Sequence, residues 1–347
     1  MKYSRVYLEA IGYELAPVVV TSSELEERLR PVLKKLFIPE GQLEALTGII
    51  ERRWWESNFR LSDGAIAAAR NALRKSRVSV GDLGVIIYAG VCRESFEPAT
   101  ACRVADVLGV GKATAVYDIS NACLGVLNGI LDIANRIELG QIRAGMVVSC
   151  ESARDIMTST IERMLQMKDM DSFKLSLATL TGGSGAVAVI VTDGSFRAEK
   201  SRRLAGGVTQ TAPQFHDLCW WGMDTDANSE WQQLMRTDSV SVLEHGAALG
   251  QHSWAAFLKE LGWKADEVDK VICHQVGSAH QHTMLDLLGI PEEKDYASYP
   301  YLGNIGTVSL PLTAALADER DVLDAGDRVA FLGIGSGLNC LMLGWEW

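Results

Sequence analysis

The sequence predicts an α/β fold assembled from two similar halves, and three observations carry that expectation. Apolar runs of strand length alternate with helical patterns along nearly the whole chain, which implies strands and helices in regular succession with mostly parallel pairing. A β-α unit also recurs. Residues 82–89 (Asp-Leu-Gly-Val-Ile-Ile-Tyr-Ala) resemble 267–274 (Glu-Val-Asp-Lys-Val-Ile-Cys-His), each behind a helical stretch, and 183–189 resemble 335–341 in the same order. Finally, 347 residues are more than one simple core requires and suit two fused halves, 1–195 and 196–347.

In chain order, apolar spacing predicts a helix over residues 22–35. The next, over 62–75, opens on Ser62-Asp63, a good N-cap pair, and runs Ala-rich. Strand-length runs follow at 84–89 and 114–119, then an Ala/Leu/Ile helix pattern at 122–139 and a strand at 145–150. Residues 152–180 break the alternation, being polar, Met-rich and helical in pattern. With no counterpart of similar length in the second half, they are expected to cap the face that carries the functional residues. Met157, Met164 and Met167 in this segment suit either an acyl tunnel or the core gap-filling that methionine more often does. Strands are then expected at 186–191, 268–274 and 328–333.

Composition narrows the function. Apolar residues make up 48% and charged residues 22%, an ordinary globular balance. A formal charge of -11 lacks the cationic footprint that nucleic acid requires, although a local basic patch would still admit an anionic thioester carrier. The N-terminus has no signal-peptide pattern and the apolar runs fall short of a membrane span, so a cytoplasmic protein is expected. Seven cysteines occur without Cys-x-x-Cys or metal-ligand spacing, which implies no metal site and mostly inert thiols.

Three residues stand where chemistry is usually done. Cys123, in Asn121-Ala122-Cys123-Leu124-Gly125, lies between a strand and a helix pattern. A helix start there would favour thiolate and supply N–H groups to an oxyanion; the alternative is a small hydrophobe at a packed joint. His274 ends the repeated strand, where α/β proteins place ligands, or else is a hydrogen-bonded core histidine. Asn304 sits between turn-forming glycines in Gly303-Asn304-Ile305-Gly306. His280 and His282 read as helix-surface residues. Residues 333–337 (Gly-Ile-Gly-Ser-Gly) mimic a dinucleotide loop but lie too near the C-terminus to open a βαβ unit.

A cysteine in the first half, followed by His and Asn in the second, resembles the Cys-His-Asn order of the thiolase superfamily, in its ketoacyl-ACP synthase III branch. The similarity runs from residues 47–53 (Thr-Gly-Ile-Ile-Glu-Arg-Arg) through Asn121-Ala122-Cys123, His274-Gln275 and 303–306 to 333–337. It implies a thiolase fold with a duplicated five-layer α-β-α-β-α core, and a homodimer. Three segments resemble the members that join two fatty acyl-CoA molecules head to head: Arg52-Arg53-Trp54-Trp55, residues 332–340, and Phe96-Glu97-Pro98-Ala99-Thr100, with a glutamate where ordinary synthases of this type carry an apolar side chain.

The resemblance implies that Cys123 is acylated and that the N–H groups of Cys123 and Gly337 form one oxyanion hole. His274 and Asn304 hold the carbonyl oxygen of a second thioester, while Glu97 reaches from a neighbouring subunit to take its α-proton. An unactivated acyl-CoA needs such a base, whereas a malonyl donor gains its carbanion by losing CO2. The expected partners are fatty acyl-CoA or acyl-carrier-protein thioesters, with no cofactor beyond the CoA of the substrate. A malonyl-ACP-dependent synthase, a thioesterase and a non-catalytic partner subunit are the alternatives. Leu46 stands where the family often carries a CoA-contacting arginine.

Overall fold

The computed structural model describes residues 1–167, 169–196, 202–225 and 231–347. Its strands are β1 (Tyr7–Leu15), β2 (Val18–Thr21), β3 (Glu51–Trp54), β4 (Leu83–Ala89), β5 (Ala115–Ile119), β6 (Ala144–Glu151) and β7 (Gly185–Thr192). There follow β8 (Arg202–Thr211), β9 (Cys219–Thr225), β10 (Trp231–Thr237), β11 (Lys270–Cys273), β12 (Arg328–Gly335) and β13 (Asn339–Glu346). The helices are α1 (Ser22–Lys35), α2 (Gln42–Thr47), α3 (Leu61–Arg74), α4 (Thr100–Leu108), α5 (Gly125–Glu138) and α6 (Arg154–Gln166). The rest are α7 (Met170–Leu177), α8 (Ser239–Leu261), α9 (Ser278–Leu288), α10 (Tyr299–Leu302) and α11 (Ser309–Glu319).

Nine strands form one sheet in the order β11-β12-β13-β8-β1-β7-β6-β4-β5. Its two arms meet between β1 and β8 at only two residue pairs, Tyr7 with Arg203 and Leu8 with Arg202. Outward from that seam the arms repeat one another, β1-β7-β6-β4-β5 against β8-β13-β12-β11. An isolated parallel bridge from Val271 to Asp295 stands where the fifth strand of the second arm would be.

Pairing corrects the sequence expectation, because three of the eight adjacent pairs are parallel and five are antiparallel. The reason is local at β12 and β13, where a turn of residues 336–338 is too short for the crossover that a parallel pair needs.

Three apolar clusters set the layers. α3 and α4 pack on one arm through Ala65, Ala69 and Val104. α5 and α11 fill the space between the arms through Leu127, Ile130 and Leu312. α8 and α9 cover the other arm through Phe257 and Leu285. The alternation of helix, sheet arm, helix, sheet arm and helix is the five-layer core. The Ala-rich character of α3 follows from its closeness to β1. A Cβ at Gly12 would stand 2.2 Å from the Ala72 nitrogen and 2.4 Å from the Ala68 oxygen.

The segment expected to cap the site forms α6, α7 and the turn Ala178–Thr181. Met157 and Met164 are wholly buried against α1 beside Leu25 and Leu29, with Met167 packed on the same cluster. They fill a core between helices, the role methionine more often takes. Among the described residues, no helix is long and apolar enough to cross a membrane.

Candidate active site

After β5 the chain turns sharply through residues 120–124. Ala122 has φ 43, a left-handed conformation that side chains other than glycine seldom adopt. The turn is closed by the Leu124 N–H on the Asn121 carbonyl at 2.9 Å and the Gly125 N–H on the Ala122 carbonyl at 3.3 Å. Helix α5 therefore starts at Gly125, three residues later than the spacing predicts, and Cys123 lies in the turn ahead of it. β12 forms the floor, since a Cβ at Gly335 would meet the Cys123 nitrogen at 3.4 Å. Burial, with Cys219 and Glu151 adding to it, pushes the Cys123 thiol up to about 12. The resting group is thus a thiol, and burial outweighs the helix-start effect expected from sequence.

His274 follows β11, where its N–H donates to the Leu332 carbonyl at 3.0 Å. Gln275 braces the loop beyond: its amide donates to the Cys273 carbonyl at 2.7 Å and its oxygen accepts from the Ser298 and Tyr299 N–H groups at 2.8 and 3.1 Å. The His274 ring is enclosed and its Nδ1 has no partner. Burial first, and His280 second, push it down to about 3, so the ring is neutral at ordinary pH.

Asn304 is held by its backbone, its N–H on the Thr181 carbonyl and its carbonyl accepting from the Gly183 N–H, both at 2.8 Å. Its side-chain Oδ1 accepts from the Gly306 N–H at 3.0 Å, which leaves the NH2 as the free donor. Gly303 is required here, because at φ 66 a Cβ would stand 2.5 Å from the Thr181 oxygen.

These three side chains converge on one cavity of about 590 Å³. Gly337 is not on its wall. Gly335 and Ser336 are, and Gly337 follows them at φ 133. Glu97 is also absent from the cavity of its own chain; with Phe96 it is exposed on the loop between β4 and α4.

The structure adds residues that sequence reasoning missed. Glu151, at the carboxyl end of β6, lines the cavity and accepts from the Val91 and Cys92 N–H groups at 2.9 and 3.0 Å; burial raises its pKa. Its position at a predicted strand end, the criterion that singled out His274, would have found it. Trp220, Trp221 and Met235 come from the β9–β10 hairpin, which no sequence pattern announced. His280 is corrected from surface to cavity wall, with its Nδ1 enclosed and unpartnered.

Residues 258–347 match the family model 3-oxoacyl-(acyl-carrier-protein) synthase III C terminal. The acyl-CoA:acyl-CoA alkyltransferase of Shewanella oneidensis is 58% identical, covering 100% of both chains, and that of Xanthomonas campestris is 34% identical, again over 100% of both. The crystal structure of a cysteine-to-serine variant of Xanthomonas campestris OleA, with bound lauric acid and lauroyl-CoA, superposes with a TM-score of 0.92. It is 34% identical and covers 99% of this chain and 100% of its own. Likeness of this extent shows the family: the protein belongs to the acyl-CoA:acyl-CoA alkyltransferases, thiolase-fold acyltransferases of the ketoacyl-ACP synthase III kind.

Proposed function

We propose that the protein joins two fatty acyl-CoA thioesters by a non-decarboxylative Claisen condensation through an acyl-Cys123 intermediate. The observation that carries this reading is the meeting of Cys123, His274 and Asn304 in one largely apolar cavity. In the first step the Cys123 sulfur attacks an acyl-CoA carbonyl, the sulfur–carbon bond to CoA breaks, and the cysteine proton leaves with CoA as its thiol. The intermediate's oxyanion is held by the N–H groups of Cys123 and Gly337.

In the second step a base removes the α-proton of another acyl-CoA. The His274 ring and the Asn304 amide hold the enolate oxygen. The enolate carbon then attacks the acyl-Cys123 carbonyl and expels the cysteine sulfur, which regains a proton. The product is a β-ketoacyl-CoA, or the β-keto acid after hydrolysis. No cofactor takes part, since CoA enters and leaves with the substrate.

Glu97 is the base in this reading, reaching in from a second copy of the chain. Its exposure beside the exposed Phe96, outside the cavity of its own chain, suits a residue that serves a neighbour. The rival reading is a malonyl-ACP-dependent synthase, which needs no such base. Incubation with a long acyl-CoA alone, followed by mass spectrometry, separates them. The proposal expects a β-keto product without any malonyl thioester, and Glu97→Gln is expected to load Cys123 normally yet form no carbon–carbon bond. Full condensation by Glu97→Gln, or product only when a malonyl donor is added, overturns it.

A further inference from the structure

We propose that His280 is a specificity-determining residue that hydrogen-bonds an amide of the pantetheine arm carried by the incoming thioester. This rests on the thioester reading above. His280 lies in the first turn of α9, and that turn is pressed onto the end of α2. A Cβ at Gly277 would meet the Thr47 carbonyl oxygen at 2.8 Å, and one at Gly48 would meet the Ser278 Cβ at 2.8 Å. Leu46, Thr47, Ala279 and His280 consequently share one stretch of the cavity wall. Leu46 and Ala279 are exposed whereas His274 is buried, so this stretch runs inward from the mouth and His280 stands on the way to the reacting centre.

The ring has bonding capacity that the described residues do not use. Its Nδ1 is enclosed without a partner, and no described group bonds its Nε2. Enclosed polar nitrogens are ordinarily bonded, and each exception calls for a ligand or a water. Burial pushes the imidazole down to about 4 and keeps it neutral, so one nitrogen donates while the other accepts. No described residue fixes which is which. An arm presenting amide N–H and C=O groups finds a match in either tautomer. The neighbouring wall, with Val242, Leu243 and Val276, is apolar, and an amide drawn past it loses water that only a protein partner replaces.

CoA and acyl carrier protein both present this arm. The test therefore compares one acyl chain on four leaving groups: CoA, acyl carrier protein, N-acetylcysteamine with a single amide, and a plain alkanethiol with none. His280→Leu is expected to raise KM about tenfold, the net worth of one hydrogen bond, for the amide-bearing thioesters. The alkanethiol ester should be unaffected, kcat should hold, and His280→Gln should recover most of the loss. The carrier with the lower wild-type KM identifies the natural source of the arm. An unchanged KM for every amide-bearing thioester, or an equal rise with the alkanethiol ester, overturns the assignment. If wild-type protein turns over none of the four, the thioester reading itself falls.

Discussion

Cys123 and His274 follow the strands at the two extremes of the sheet, β5 and β11, yet their surroundings differ in kind. The Cys123 turn is constrained at every step, by the left-handed Ala122, two turn hydrogen bonds and the backbone of β12 beneath it. His274 leaves a regular strand, its loop is braced by Gln275, and its ring nitrogens are bonded by nothing described. The difference matches two chemical tasks. A nucleophile that carries a covalent group must keep its carbonyl oxygen at fixed N–H donors, so the backbone is locked. A donor to a transient oxyanion must keep its hydrogen bond for the substrate, so the side chain is left unsatisfied while its backbone is locked.

The largest effect expected from this contrast is at the locked position. Cys123→Ala and Cys123→Ser should fold normally and give no acyl adduct and no product. Cys92 and Cys219 share the cavity but lack the turn that would present donors to an acyl oxygen. An acyl group mapped to either of them by mass spectrometry, with Cys123 unmodified, would remove the basis of the contrast.

A smaller effect belongs to the unsatisfied side. His274→Ala and Asn304→Ala should slow condensation by on the order of a hundredfold or more, the usual cost of one oxyanion donor. Loading of Cys123, followed by intact mass, should suffer less. If neither variant loads at all, the two tasks are not divided between the two halves.

How far this arrangement could be read beforehand depends on the distance over which each feature is encoded. Cys123, His274 and Asn304 sit in short motifs, each written within a few consecutive residues. β4, β7 and β12 were legible because their apolar runs are continuous. Antiparallel pairing was not, since strand direction depends on connections rather than on the runs themselves. His280 looked exposed because Ser278, Gln281 and His282 around it are polar; only the packing of α9 on α2 turns it inward. Spacing places the start of α5 too early because alanine favours helix, whereas Ala122 is held at φ 43 by its turn. Glu151 stands one residue past the apolar run 145–150, so the run alone does not mark it.

The last prediction concerns the bond that joins the two regions. Thr307, 1% exposed in the turn Gly306–Val308 just after Asn304, accepts a hydrogen bond from the Val126 N–H at 2.7 Å. Val126 is the second residue of α5, and its N–H is one of the donors that a helix start leaves without an intrahelical partner. One hydroxyl thus ties the helix behind Cys123 to the turn that follows Asn304. Thr307→Val keeps the shape and leaves that N–H buried and unpaired, at a cost of about 1–3 kcal/mol. The urea midpoint should fall accordingly, and Thr307→Ser should restore it. Because the bond spans both regions, loading and condensation should decline together, in contrast to the split expected for His274→Ala. A variant with unaltered stability, or one that loses condensation alone, would mean that the hydroxyl does not couple the locked turn to the oxyanion donors.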